Sequence, residues 1–166
     1  MICPACGFEN IQGEDNCENC GADLRTSDIP APSNSFEARL VAAPLAALRA
    51  PQPTTTTPGA TIADAVRLMQ EASVGCLVVE GEGAVRGILT ERDCVLKLDQ
   101  AGLDGMTVAE IMTPDPVVLR PDDSLAVAIN KMAVGGFRHI PLVENGRATG
   151  IVSARDLFRY ILDTID

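Results

Sequence analysis

Apolar positions along the chain switch between two periods, and the same succession of switches is written twice. Ile62, Val66 and Met69 lie on one face of a 3.6-residue period, and Leu125, Ile129 and Met132 repeat that stripe. Thr61 and Asp64 stand in the hydroxyl-x-x-acid spacing of a capping box, and Ser124 takes the cap position ahead of the second stripe, so each stripe predicts a helix. Short apolar runs at Cys76 to Val79 and His139 to Val143 read as strands. Turns through Gly81 to Gly83 and through Glu144-Asn145-Gly146 lead to further strands ending at Leu89 and Val152. Asn-Gly between apolar runs is a hairpin signal. Helices from Thr90 to about Leu98 and from Ser153 to about Leu162 close each copy. Ahead of both, Thr54 to Thr57 and Val117 to Leu119 sit between prolines and predict a short first strand. Each copy is then β-α-β-β-α, with its first two strands parallel through a right-handed crossover.

The copies are offset by 63 residues without a gap. Pro51, Pro53, Pro58, Thr61, Met69, Gly83 and Gly87 fall on Pro114, Pro116, Pro121, Ser124, Met132, Gly146 and Gly150. A fixed period of this kind marks a duplicated unit. Its most regular stretch is glycine, two apolar residues, a hydroxyl, two spacers and an aspartate, at Gly87 to Asp93 and again at Gly150 to Asp156. The methionines in the stripes read as core filler.

The first residues carry neither period. Cys3 and Cys6 form one C-x-x-C pair, Cys17 and Cys20 a second, ten residues on. That spacing fits a tetrahedral zinc site with four thiolate ligands, with disulfides or redox-active thiols as the alternatives. Gly7 and Gly21 can take the positive φ that closes each turn, and backbone N–H groups there can donate to sulfur. A segment of about 25 residues cannot build its own core, so the metal would supply its folding energy. The expected organisation is a zinc ribbon over 1–24, a linker over 25–37, repeat one over 38–106 and repeat two over 107–166. The linker composition predicts a ribbon that is tethered rather than rigidly packed. Cys76 and Cys94 read as small buried apolar residues.

Composition narrows the partners. Apolar residues make up 46% of the chain but aromatics only 3%, so the core is expected to be aliphatic. The formal charge of −10 argues against nucleic acid and against an anionic membrane surface. Before position 29 the chain sets Glu9, Glu14, Asp15, Glu18, Asp23 and Asp28 against Arg25. No apolar run approaches the ~20 residues of a membrane span, and Cys6 leaves no room for a signal peptide. The expectation is a cytoplasmic protein with reduced thiols.

The β-α-β-β-α unit ending in Gly-φ-φ-Thr/Ser-x-x-Asp resembles the cystathionine-β-synthase (CBS) domain. Ile111-Met112-Thr113-Pro114 and Arg138-His139-Ile140-Pro141-Leu142-Val143 resemble stretches of the same domain, over about Pro44 to Ile165. Two in tandem resemble a Bateman module. The resemblance implies a mixed α/β (α+β) fold, a pseudo-two-fold pair packed through its sheets, clefts for adenosine-containing ligands, a regulatory role and a homodimer formed through helices. It also puts adenine between apolar strand edges near Val117 and Ile140, and phosphate near Arg138 and His139, where copy one has Gly75 and Cys76.

The chemistry suits a nucleotide. Thr90 with Asp93, and Ser153 with Asp156, sit in a first helical turn, where free N–H groups and the dipole favour anions. An aspartate there can accept both hydrogens of a ribose diol, and the hydroxyl can meet ribose or phosphate. Gly87 and Gly150 would let ligand or neighbouring backbone approach closely. The same spacing is also that of a plain capping box. His139, the single histidine, reads either as a phosphate donor or as a packed strand residue. Arg92 and Arg155 can reach phosphate or lie on a solvated face. The acidic balance makes AMP or ADP easier to hold than ATP, with S-adenosylmethionine as a cationic competitor.

The leading expectation is a non-catalytic sensor of an adenine nucleotide that reports through the ribbon to an unidentified protein partner. The rival is a dimeric assembly scaffold with an empty CBS pair and a protein-docking ribbon. No nucleophile–base pair is evident, and a site of four cysteines leaves no open metal position.

Overall fold

Local capping and apolar spacing lay out the elements in the expected order. The structure, a computed structural model, describes residues 1–11, 14–25, 32–97 and 105–165. The predicted helix end at Leu98, the stretch 26–31 of the expected linker and Asp28 lie outside them. The chain divides into two compact units, one of Pro51–Arg120 with Ile140–Ile151, the other of Met1–Ala50, Pro121–His139 and Val152–Asp166.

The first unit carries a four-stranded sheet in the order β1-β2-β3-β4. Its strands are β1 (Thr55–Thr56), β2 (Cys76–Gly81), β3 (Ala84–Thr90) and β4 (Thr113–Pro114). β1 runs parallel to β2, with Thr55 opposite Val78, as a strand-helix-strand crossover requires. β2 and β3 form the antiparallel hairpin, Leu77 opposite Leu89 and Val78 opposite Ile88. The crossover helix α2 (Ile62–Ala72) starts at Thr61, whose hydroxyl accepts from Asp64 N at 3.1 Å. Its apolar side buries Ile62, Ala65 and Met69 against Leu77, Val79, Leu89 and Cys94, with Met106, Val108 and Ile111 completing the core. Each of the Ile, Leu, Val and Met side chains among them stabilises the fold by about 1.5–3 kcal/mol on leaving water. α3 (Glu91–Lys97) follows β3, and α4 (Val108–Ile111) precedes β4.

β4 was not foreseen as a strand. Thr113 and Pro114 pair antiparallel with Ile88 and Gly87, so the opening segment of the second repeat becomes an edge of the first sheet. An edge is where a proline, which lacks a donor, can be accommodated.

In the second copy, β5 (His139–Glu144) and β6 (Arg147–Ser153) form a two-stranded sheet. The expected strand over Val117 to Leu119 contracts to one parallel bridge, Leu119 to Leu142, held by Leu119 N to Pro141 O at 3.1 Å and Val143 N to Leu119 O at 2.8 Å. Pro116, Pro121 and Pro141 supply no N–H, which leaves little ladder to build.

The other unit is mainly helical: α1 (Ser35–Ala42), a 3-10 turn (Leu45–Leu48), α5 (Leu125–Gly135) and α6 (Ala154–Ile165). α1 is capped by Asn34, which accepts from Glu37 N at 2.9 Å, so the end of the expected linker is helical from Ser35. Leu45 N to Asp123 O, Ala46 N to Pro121 O and Leu125 N to Ala43 O, at 2.8–2.9 Å, tie the chain after α1 to the lead-in of α5. α5 is capped by Ser124 and ends at Gly136, whose φ of 67° is a left-handed cap.

The ribbon belongs to this unit and is not loosely tethered. Arg25 bridges Asp23 at 2.7 Å and Asp123 at 3.0 Å, and Lys131 of α5 pairs with Asp15. No described helix is long and apolar enough to cross a membrane.

Candidate functional site

The four ribbon cysteines come together from two equivalent knuckles. Gly7 N donates to Cys3 O at 2.9 Å and Gly21 N to Cys17 O at 2.8 Å, with both glycines at positive φ. All four sulfurs lie within 4.8 Å of one another, Cys3 to Cys20 at 3.7 Å and Cys6 to Cys17 at 3.6 Å. A tetrahedral ion with metal–sulfur bonds of about 2.3 Å sets its sulfurs about 3.8 Å apart, whereas a disulfide needs about 2.05 Å. The four cysteines could therefore hold one metal ion.

Donors already point at the sulfurs. Asn10 Nδ2 reaches Cys17 Sγ and Asn19 Nδ2 reaches Cys6 Sγ, each at 3.6 Å. Burial opposes ionisation of Cys17, but the Cys20 and Asn19 backbone N–H groups and Asn10 outweigh it and bring the thiol down to about 6. At Cys20 the Ala22 backbone works downward, yet the neighbouring thiols and burial push it up to about 12. Asn10 is buried and also accepts from Glu18 N at 3.0 Å, so it stitches one knuckle to the other. No spacing rule marks Asn10, because two of its side-chain partners, Cys17 Sγ and Glu18 N, lie in the other knuckle.

The repeated hydroxyl-x-x-Asp motif forms a capping box in both copies. Asp93 Oδ2 accepts from Thr90 N at 2.9 Å and Thr90 Oγ1 at 2.5 Å, while Asp93 N donates back to Thr90 Oγ1 at 3.3 Å. Asp156 Oδ2 accepts from Ser153 N at 2.9 Å and Ser153 Oγ at 2.6 Å, with the return bond again 3.3 Å. One carboxylate oxygen in each copy thus serves its own helix.

The second oxygen separates the copies. Asp93 Oδ1 pairs with Lys97 Nζ at 2.7 Å, and Lys97 also donates to Ile111 O at 2.9 Å. Burial works to raise the Asp93 pKa, but the Lys97 and Thr90 bonds outweigh it and hold the carboxyl below its usual range. Asp156 is half-buried, and its Oδ1 takes no hydrogen bond from the described residues. Lys97 escaped the sequence reading, although its i,i+4 spacing from Asp93 was a usable signal.

Around Asp156 the chain assembles part of the expected set. Ala154 N donates to Arg138 O at 2.9 Å, which fixes the start of β5 beside the start of α6. Arg138 is exposed and His139 half-buried. Arg155 is exposed, and no ion pair joins it or Arg138 to another described residue. Ile140 is fully buried while Val117 is 36% exposed, and these two sit in the other unit. In copy one, burial and the Asp93 charge push the Cys76 thiol up to about 12, which fits a small neutral core residue.

Relatives agree with this architecture. A 108-residue stretch is 41% identical to an uncharacterised 17.7 kDa protein of Acidianus ambivalens, covering 64% of this chain and 65% of that one, slightly under two thirds of the relative. Among solved structures, the CBS domain pair of protein MJ0100 in complex with 5-methylthioadenosine and S-adenosyl-L-methionine aligns with a TM-score of 0.67 at 24% identity, over 73% of this chain and 97% of that one. CBSX2 in complex with AMP aligns with a TM-score of 0.65 at 24% identity, over 75% and 99%. The CBS-domain family model matches residues 46–99 and again 108–163, the two copies of the repeat, so this chain belongs to the CBS-domain family.

Proposed function

We propose that the chain is a non-catalytic sensor that holds an adenosine phosphate in its second CBS repeat and carries a structural zinc ion in its ribbon. Asp156 Oδ1 is the observation that carries this reading. It is a carboxylate oxygen without a donor among the described residues, at a helix start joined through the Arg138 carbonyl to an exposed guanidinium. Asp156 would accept from the ribose diol and Ser153 would meet ribose or phosphate. Arg138, with His139 beside it and Arg155 in reserve, would neutralise the phosphate. Ligand can bias the chain between arrangements only by its differential affinity for them, and a partner protein would read that bias from a homodimer.

The ligand class draws support from the fold relatives bound to AMP and to S-adenosylmethionine. Cys3, Cys6, Cys17 and Cys20 would hold zinc as a closed four-thiolate set, a structural and not a catalytic arrangement.

Titration calorimetry with AMP, ADP, ATP and S-adenosylmethionine tests the reading: a ligand should bind the wild type, and Asp156→Ala should weaken that binding by about tenfold or more. Metal analysis should give one zinc per chain, lost in Cys17→Ser. The scaffold reading rests on the capping bonds, which spend one oxygen of Asp93 and of Asp156 on the protein's own helices. It becomes the better account when none of the four ligands binds.

A further inference from the structure

The offset of 63 residues allows the two candidate sites to be compared atom for atom, and they are opposite in kind. Where copy two has Arg138, Ala154 and Tyr160, copy one has Gly75, Glu91 and Lys97. The backbone link is the same in both, Ala154 N to Arg138 O at 2.9 Å and Glu91 N to Gly75 O at 3.1 Å. What it carries differs. The Glu91 carboxylate lies over Gly75, so that a Cβ there would stand 3.1 Å from Glu91 Oε2. Copy one thus presents a carboxylate at the position from which copy two extends a guanidinium.

The rest of copy one is filled by the protein. Lys97 takes the Asp93 oxygen that a ribose would need and anchors itself on Ile111 O. Next to Ile111, Met112 and Thr113 cross Gly87 so closely that a Cβ on Gly87 would meet Met112 Sδ at 2.7 Å and Thr113 O at 2.9 Å. The close approach that this glycine permits is used by backbone and not by ligand.

We infer that the first repeat is a sealed counterpart of the second: Lys97 is the resident cation of Asp93, Glu91 repels phosphate, and each chain takes one phosphorylated adenosine, in repeat two. This rests on the nucleotide reading of the second repeat and adds the residues that set its stoichiometry. A ligand entering copy one must displace Lys97 from a charge-assisted bond and bring phosphate against Glu91, both unfavourable. Neither barrier exists in copy two, where Tyr160 and Ala154 carry no charge.

Calorimetry of the full, metal-loaded chain with AMP tests this. The wild type should take one equivalent. Asp156→Ala should weaken binding by about tenfold or more, the loss expected for a charged hydrogen-bond acceptor. Asp93→Ala should leave it unchanged, with Asp93→Asn as the conservative substitute if the alanine variant does not fold. Rebuilding copy one on the pattern of copy two, by Gly75→Arg with Glu91→Ala and Lys97→Tyr, should create a second equivalent. Two equivalents in the wild type, or loss of binding in Asp93→Asn with retention in Asp156→Ala, would overturn the inference while leaving the nucleotide reading intact. Absence of AMP binding in the wild type removes that reading and this inference together.

Discussion

Lys131 brings its ammonium to Asp15 from a side chain that is only 8% exposed, so a helix of the second repeat and the cysteine ribbon share an ion pair. Asp15 remains 53% exposed. The cost of the contact therefore falls mainly on the lysine, whose stem packs in α5 while its charge leans on the ribbon.

Lys131→Ala should destabilise the chain by about 2 kcal/mol, because it removes both buried stem and charge. Lys131→Met keeps the stem and should cost less than about 1 kcal/mol. A double-mutant cycle with Asp15→Asn, followed by urea unfolding, isolates the pair, and its coupling should stay at or below about 1 kcal/mol since one partner is wet.

Chelation should reach beyond the ribbon. On the proposed reading metal supplies the folding energy of so small a segment, and Arg25 and Asp15 are its grips on Asp123 and Lys131. The stripped chain should melt lower, by about 3 °C for each kcal/mol of lost support. Cys17→Ser should reproduce that shift and become insensitive to chelator.

Asp93 should mark the acid limb of stability. Its carboxyl is held below its usual range in the folded chain, so its contribution is fully present above the unfolded value of about 3.9 and is lost as pH falls through the folded value. In denaturant melts the gap between wild type and Asp93→Asn should be widest near neutrality and close as the pH drops below about 4.

Gly87→Ala should cost about 1–3 kcal/mol, since the new methyl meets the Thr113 carbonyl as well as the Met112 sulfur. The Met112 side chain can turn aside but β4 backbone cannot. Thermal unfolding measures the loss, and adding Met112→Ala should recover only part of it.

Much of this was readable in advance because it is local. The capping boxes at Thr90 and Ser153 follow from spacing alone, and the 63-residue period carried the β-α-β-β-α order. The cysteine knuckles likewise follow from C-x-x-C and a glycine able to take positive φ. What escaped were contacts made across the chain: β4 on β3, Asn10 between the knuckles, Lys131 on Asp15. No period encodes these, since each joins elements whose separation in sequence is unrelated to their separation in space. Glu91 over Gly75 stands between the two cases. The charge difference from Ala154 and Arg138 was written in the aligned copies, and only the coordinates made it a contact.

The unit that contains the ribbon is assembled from three distant stretches of chain, the last beginning at Val152. A ribosome delivers these stretches in order, so the thiols emerge long before Asp123 and the α5 residue Lys131 offer the ribbon its ion pairs. On the proposed metal reading, capture is a local event that can proceed at once, while docking has to wait until Lys131 of α5 has emerged to meet Asp15. The cell therefore meets a charged ribbon first and a finished unit second, and a shortage of metal during synthesis would be felt in the last step of assembly.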